Sequence, residues 1–207
     1  MYTMMKIMLL GLCMLAVPVL SVGSENHDGP KAVVEAAVGG IVKVLKERTS
    51  KGALTEKDRQ AIRQQVTGRF DYREMARRSV GRSWKKHTAE QQAAFTAIFR
   101  DLLEYTYGNR LTAYKDQVIE YDAAEFRKSK ARVKTRVIDA HKSTPVAYRL
   151  HHTPQGWMVY DIKIEGVSLV GTFRKDFKSS LKRHGFDALL EALRKKVLKM
   201  KAKDSDV

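Results

Sequence analysis

The stretch that decides the fold is Ala131-Arg132-Val133-Lys134-Thr135-Arg136-Val137. Small or apolar side chains fall at the odd positions and cations at the even ones. A period of two sends successive side chains to opposite faces of a strand. The same residues on a helix would spread charge around the whole circumference. The pattern then repeats. Val146, Tyr148 and Leu150 alternate with Ala147, Arg149 and His151. After the turn residues Thr153-Pro154-Gln155-Gly156, the segment Trp157 to Ile164 sets Met158, Tyr160, Ile162 and Ile164 on one expected face. Val118 to Tyr121 supplies a shorter strand ahead of them. The expectation is an antiparallel or mixed four-stranded sheet, polar on one face and apolar on the other.

On both sides of these strands the period is 3.6. Asp28-Gly29-Pro30 opens a first helix carrying Val34, Val38, Ile41 and Leu45. Three later starts have the spacing of a capping box, a small polar residue three positions before an acceptor: Thr55 with Asp58, Asp71 with Glu74 and Thr88 with Gln91. The second helix is expected to stop at Gly68, and the third near Val80-Gly81. The fourth is the most regular, with Phe95, Ile98, Phe99, Leu102 and Thr106 on one face and Leu103 beside them. Beyond Glu165-Gly166, a helix through Phe173, Phe177 and Leu181 is expected to break at His184-Gly185. A basic final helix follows on Phe186, Leu190, Leu193 and Val197. This order makes an α+β domain, with helices packed on one face of the sheet.

The N-terminus reads as an export signal. Lys6 precedes the apolar run Ile7 to Leu20, Pro18 interrupts it, and Ser21-Val22-Gly23-Ser24 offers small residues for cleavage. The run is short for a membrane span. Residues 1–23 are therefore expected to be a cleavable signal peptide, cut after Gly23 or Ser24. Residues 24–207 are expected to be a single domain ending in a basic helix and tail. The only cysteine, Cys13, lies in the signal, so the mature domain holds no disulfide framework and no thiol nucleophile. Lysine and arginine number 39 against 23 aspartates and glutamates, a formal charge of +16. Such an excess points to an anionic partner. For an exported chain, that means a membrane surface or an acidic protein before nucleic acid.

Catalytic motifs are scarce. Of the six histidines, only His151 and His152 are adjacent, and on a strand they point to opposite faces. No metal site is expected. Gly166-Val167-Ser168-Leu169-Val170-Gly171 approaches a nucleophile elbow, but Val170 stands where the second glycine belongs. Asp161 and Glu165 are the carboxylates a pocket enzyme would use. No catalytic residue and no cofactor are assigned. The apolar surface of the helices and strands remains. It fits a close-packed core, and it fits equally a helix layer that leaves an apolar pocket over a curved sheet.

Several runs resemble one known family. They are Phe70-Asp71-Tyr72-Arg73-Glu74-Met75-Ala76-Arg77, Gly81-Arg82-Ser83-Trp84, and Phe95 through Tyr107. Tyr148-Arg149-Leu150, Gly156 to Asp161, Ile164 to Val170, Arg174 with Phe177, and Gly185 to Leu190 complete the set. Together, across roughly residues 30–195, they are similar to the MlaC, or toluene-tolerance auxiliary, family. Thr172 and Phe173 depart from it where Asn and Tyr are expected. The resemblance implies a monomeric periplasmic phospholipid-binding protein, with lipid as the bound ligand and no enzyme activity. Its implied partners are an outer-membrane lipoprotein complex and an inner-membrane ABC transporter with an MCE-domain ring, with transient membrane contact and no nucleic acid. Acyl chains would lie between helices and sheet.

The candidate pocket residues are Phe99, Leu103 and Tyr107 from the fourth helix, Tyr148, Tyr160 and Ile164 from the strands, and Val167, Val170 and Phe173 from the segment after them. Aspartate at Val167 or Phe99 is expected to abolish lipid loading. Two rival readings carry their own signatures. A nucleic-acid binder would need exposed aromatics interleaved with the cations, and a pocket enzyme would need a buried Asp161 or Glu165 facing the cavity.

Overall fold

Pro30 begins the first helix, α1 (Pro30–Glu47), in a computed structural model that describes residues 29–50 and 52–205. The expected signal peptide lies outside the described residues. Proline suits that first position because its missing N–H has no partner there in any case. In α2 (Glu56–Val66), the Thr55 hydroxyl accepts the Asp58 N–H and the Asp58 carboxylate accepts the Thr55 N–H, a complete capping box. Thr88 and Gln91 do the same for α4 (Ala89–Leu111). In α3 (Tyr72–Val80), only half of the expected box forms. Asp71 accepts the Glu74 N–H at 2.8 Å, but the Glu74 carboxylate turns away to Arg77 and Arg78, each at 2.7 Å. Two cations outcompete one backbone amide for that carboxylate.

After α3 the chain tightens into a 3₁₀ turn, Gly81–Lys86. The last helix, α5 (Leu169–Ser205), is broken at Gly185, where φ is 82° and ψ −176°. Only glycine adopts that region freely, and the break falls where the sequence placed it.

The sheet has six strands rather than four: β1 (Val118–Tyr121), β2 (Glu125–Arg127), β3 (Lys130–Ile138), β4 (Ser143–Thr153), β5 (Gly156–Ile164) and β6 (Val167–Ser168). β1 and β2 share one edge of β3, and β4, β5 and β6 follow in order, all antiparallel. A parallel bridge adds Phe70 to the far edge of β5, where Val159 O accepts the Asp71 N–H at 2.9 Å and the Val159 N–H donates to Arg69 O at 2.8 Å. That bridge makes the sheet locally mixed.

One expectation needs correction. Arg149 lies opposite Asp161, but Leu150 lies opposite Val159, so Tyr160 is an extra residue in β5. This β-bulge shifts the alternation by one. Val159 and Ile162 share the apolar face, while Tyr160 turns to the other one. There its ring meets His151 edge-on at 5.5 Å and lies 4.0 Å beneath the Arg78 guanidinium. Met158, paired with His151, is also on that opposite face.

Two apolar clusters hold the layers together. In one, Val33 and Val34 of α1 close over Ala131, Val133, Leu150 and Val159. In the other, Met75 and Trp84 pack with Phe95, Phe99, Leu102 and Leu103 of α4 and with Phe173, Phe177 and Phe186 of α5. Phe70 touches both clusters and joins them.

Candidate functional site

The strand register sorts the apolar sheet face into parallel rows. Ala131, Leu150, Val159 and Phe70 form the first, and Val133, Tyr148 and Ile162 the second. Tyr121, Thr135, Val146, Ile164 and Val167 form the third, and Ile119 with Val137 begins a fourth. The β3 residue of each of the first three rows is buried, and in rows two and three burial falls off beyond it. The first three residues of row one are buried beneath α1. In row two Val133 is buried, but Tyr148 and Ile162 are only half-buried. In row three Thr135 is buried, Val146 and Ile164 are half-buried, and Val167 at the end is 60% exposed. Covering helices therefore close one end of the apolar face and leave the other partly open. Ile119, Tyr121 and Val137 continue the half-buried surface.

Tyr148 stands at the centre of the second row, between Val133 and Ile162. Desolvation raises its phenol well above the ordinary tyrosine range, and the neighbouring Tyr121 adds to the rise. Only a hydrogen bond with Thr135 opposes them. The side chain itself is half-buried. The Thr135 hydroxyl itself is satisfied, donating to Val146 O at 3.2 Å.

The nine candidates divide among three places. Tyr148, Ile164 and Val167 share the half-open face. Phe99, Leu103, Tyr107, Val170 and Phe173 belong to the helical cluster. There Phe99 meets Phe173 edge-on at 5.2 Å, and Phe173 meets Tyr107 at 6.4 Å. Tyr107 alone of these five is half-buried rather than buried. Tyr160 lies on the opposite sheet face because of the bulge. Ile119, Tyr121, Val137, Val146 and Ile162 were missed as candidates. Their alternation was visible in the sequence, but only the strand register reveals that they flank Tyr148 and Ile164.

The carboxylates of the enzyme reading have structural duties. Asp161 accepts hydrogen bonds from the Ser168 hydroxyl and the Val170 N–H and pairs with Arg149. Glu165 pairs with Lys142 at 2.6 Å on the surface. The Ser168 hydroxyl, the elbow-like nucleophile, donates to Asp161, and among the described residues no imidazole is bonded to it. On the polar sheet face, Arg132 and Lys134 pair with Glu125, and Arg136 pairs with Glu120 and Asp122. Those cations are already compensated and do not form the bare basic platform that nucleic acid needs. Among the described residues, no three histidine, cysteine, aspartate or glutamate side chains gather as a metal would require, and no helix is long and apolar enough to cross a membrane.

Comparison with known sequences bears directly on this arrangement. The pattern of the family described as MlaC protein matches residues 35–195, most of the chain. The chain belongs to the MlaC protein family. Toluene tolerance protein ttg2D of Pseudomonas putida is 31% identical over 105 residues, 50% of this chain and 49% of its own. The intermembrane phospholipid transport system binding protein MlaC of Haemophilus influenzae is 26% identical over 117 residues, 54% of this chain and 55% of its own. The chain thus spans about half the length of the curated relatives it matches. The fold likeness extends further. A phospholipid-binding protein from Ralstonia solanacearum, solved in complex with a phospholipid, aligns with a TM-score of 0.78 at 26% identity, covering 84% of this chain and 99% of its own. The resemblance carried by Phe70 to Tyr107 and Ile164 to Val170 is thereby confirmed at the level of the family.

Proposed function

We propose that this chain binds phospholipid along the half-open apolar face and carries it through the periplasm. The observation that carries the reading is the likeness to a solved phospholipid complex over almost that protein's whole length. The half-open rows of the sheet support a location on that face. Acyl chains would lie over Val146, Tyr148, Ile162 and Ile164. Val167 would stand at the mouth.

The energetics set what such a site must achieve. Each exposed acyl CH₂ costs about 0.8 kcal/mol, so the ~30 of a two-tailed lipid cost roughly 25 kcal/mol in water. The carrier must offset most of that. It need not outbid a bilayer, because it hands the lipid on. An aromatic and aliphatic lining achieves this without headgroup specificity.

The shuttle would run between an outer-membrane lipoprotein complex and an inner-membrane MCE-domain ABC transporter, as a monomer that touches membranes transiently. Residues 1–23 would direct export to the periplasm. The test is to purify the mature chain without detergent, extract it with organic solvent and identify lipid by mass spectrometry. Near-stoichiometric phospholipid is expected. A folded chain that comes out empty, and that stays empty after incubation with phospholipid vesicles, overturns the proposal.

A further inference from the structure

A second concavity, of about 410 Å³, opens between α3, the 3₁₀ turn and α5. It is lined by Arg77, Arg78, Gly81, Arg82, Trp84, Lys85 and Arg174. Five of these seven residues are cations and none is an acid. Glu74 compensates Arg77 and Arg78 from behind, bonding both with one carboxylate. Among the described residues, no carboxylate pairs with Arg82, Lys85 or Arg174. The floor is firm, since Trp84 is buried and packs edge-on against Phe95 at 6.1 Å.

The arrangement is built into the backbone. Gly81 ends α3 with φ at 81°, a left-handed conformation that glycine accepts at no steric cost. Where a Cβ would stand on Gly81, the Nε and Nη2 atoms of Arg174 lie 3.5 Å away. The guanidinium from α5 thus lies directly over the residue that turns the chain, in ordinary van der Waals reach of it. Gathering uncompensated like charges costs stability. That cost is recovered when an anion sits among them.

We propose that this pocket binds a phosphate group, separately from the apolar face. Tetrahedral phosphate offers several oxygens to several guanidinium forks at once, whereas a carboxylate matches a single fork in its plane. Cations converging from two helices and a turn on one small concavity suit the phosphate better than an extended acidic peptide. Free anion and the headgroup of an anionic phospholipid both supply such a phosphate, and the two sources are separable.

The test is calorimetric titration of the mature chain at low salt with inorganic phosphate, with glycerophosphoglycerol as a headgroup lacking acyl chains, and with a hexaglutamate peptide. The double variant Arg82→Gln/Arg174→Gln is compared with Lys196→Gln/Lys199→Gln, which removes the same charge from the outer face of α5. Expected is binding of phosphate or glycerophosphoglycerol, weakened at least tenfold in the pocket variant and unchanged in the control. Phosphate alone identifies the free anion, and glycerophosphoglycerol alone identifies the headgroup. Equal weakening in both variants, binding of hexaglutamate alone, or no binding at all overturns the proposal. Lipid content by extraction is read on the same variants and is expected to be unchanged. The fate of this pocket is therefore distinguishable from that of the apolar cleft.

Discussion

Asp161 holds Ser168 across the turn between β5 and α5, its two carboxylate oxygens 2.9 and 2.8 Å from the serine hydroxyl. The same carboxylate accepts the Val170 N–H at 3.2 Å, at the start of α5, and the Ser168 hydroxyl oxygen in turn accepts the Gly171 N–H at 2.9 Å. Sheet and final helix are thus fastened by one acid that is almost wholly buried. Asp161→Ala strands the Val170 amide and the serine hydroxyl. It is expected to cost about 3 kcal/mol, read as a lower urea midpoint with an unchanged slope.

Ile164 and Phe99 separate lining from core. Ile164 is half-buried on the open face, so Ile164→Asp is expected to leave a folded chain that purifies without lipid. Phe99 has no exposure and is packed among Phe95, Phe173 and Phe177. Aspartate there unfolds the protein rather than emptying it, and even Phe99→Ala is expected to cost about 3–5 kcal/mol by denaturation. A folded Ile164→Asp variant that still carries a full complement of lipid would remove Ile164 from the cleft.

The Glu74 carboxyl gives a pH signature. Burial alone would raise it, but hydrogen bonds from Arg77 and Arg78, and their charges, outweigh burial and hold it below the ordinary glutamate range. A group lowered on folding contributes stability above its unfolded value of roughly 4.3 and loses it as the pH falls through the folded value. Glu74→Gln is expected to be less stable by about 1–2 kcal/mol at pH 7. The gap should close as the solution is acidified below pH 4. A gap that stays constant over this range would show that the carboxyl is not the stabilising group.

Gly185 isolates a pure backbone effect. Nothing lies within 4 Å of the Cβ an alanine would add. Gly185→Ala is therefore expected to lose about 1–3 kcal/mol from the strained φ and ψ alone. Thermal unfolding should show the loss without any change in lipid content.

Arg59 ties the last turns of the chain to α2. It is 1% exposed, pairs with Asp204, donates to Asn109 Oδ1 at 2.9 Å and stacks 4.1 Å from the Tyr105 ring. Removing residues 201–207 leaves that guanidinium buried without its carboxylate. The truncated chain is expected to be about 3 kcal/mol less stable, measured by chemical denaturation, and Arg59→Met in the truncated background should restore part of the loss.

Much of this was legible along the chain. Thr55, Thr88, Gly68 and Gly185 punctuate the helices where their chemistry says they should, because capping and left-handed turns are decided within a few residues. β2 and β6 were not legible. Three and two residues are too few to show a period, and pairing with β3 and β5 defines them. The site was legible in kind but not in detail. Tyr148 and Ile164 could be placed on the apolar face by alternation, but Tyr160 could not be placed off it, since an extra residue in a strand leaves no local mark. Nor could pattern distinguish Phe99 in a solid aromatic cluster from Tyr107 at its edge, because both lie on apolar stretches of one helix.

The extra residue at Tyr160 also has a consequence for how this chain can change. It acts as a phase shifter, so that Trp157 and Val159 keep time with one set of neighbours and Ile162 and Ile164 with another. Taking that one residue out would leave an unbroken ladder, with Val159 and Ile162 still facing the same way and Asp161 still opposite Arg149. What would vanish is the ring held between His151 and the Arg78 guanidinium. The inserted residue is thus a spare position, through which the strand reaches toward α3 without disturbing the faces on either side of it.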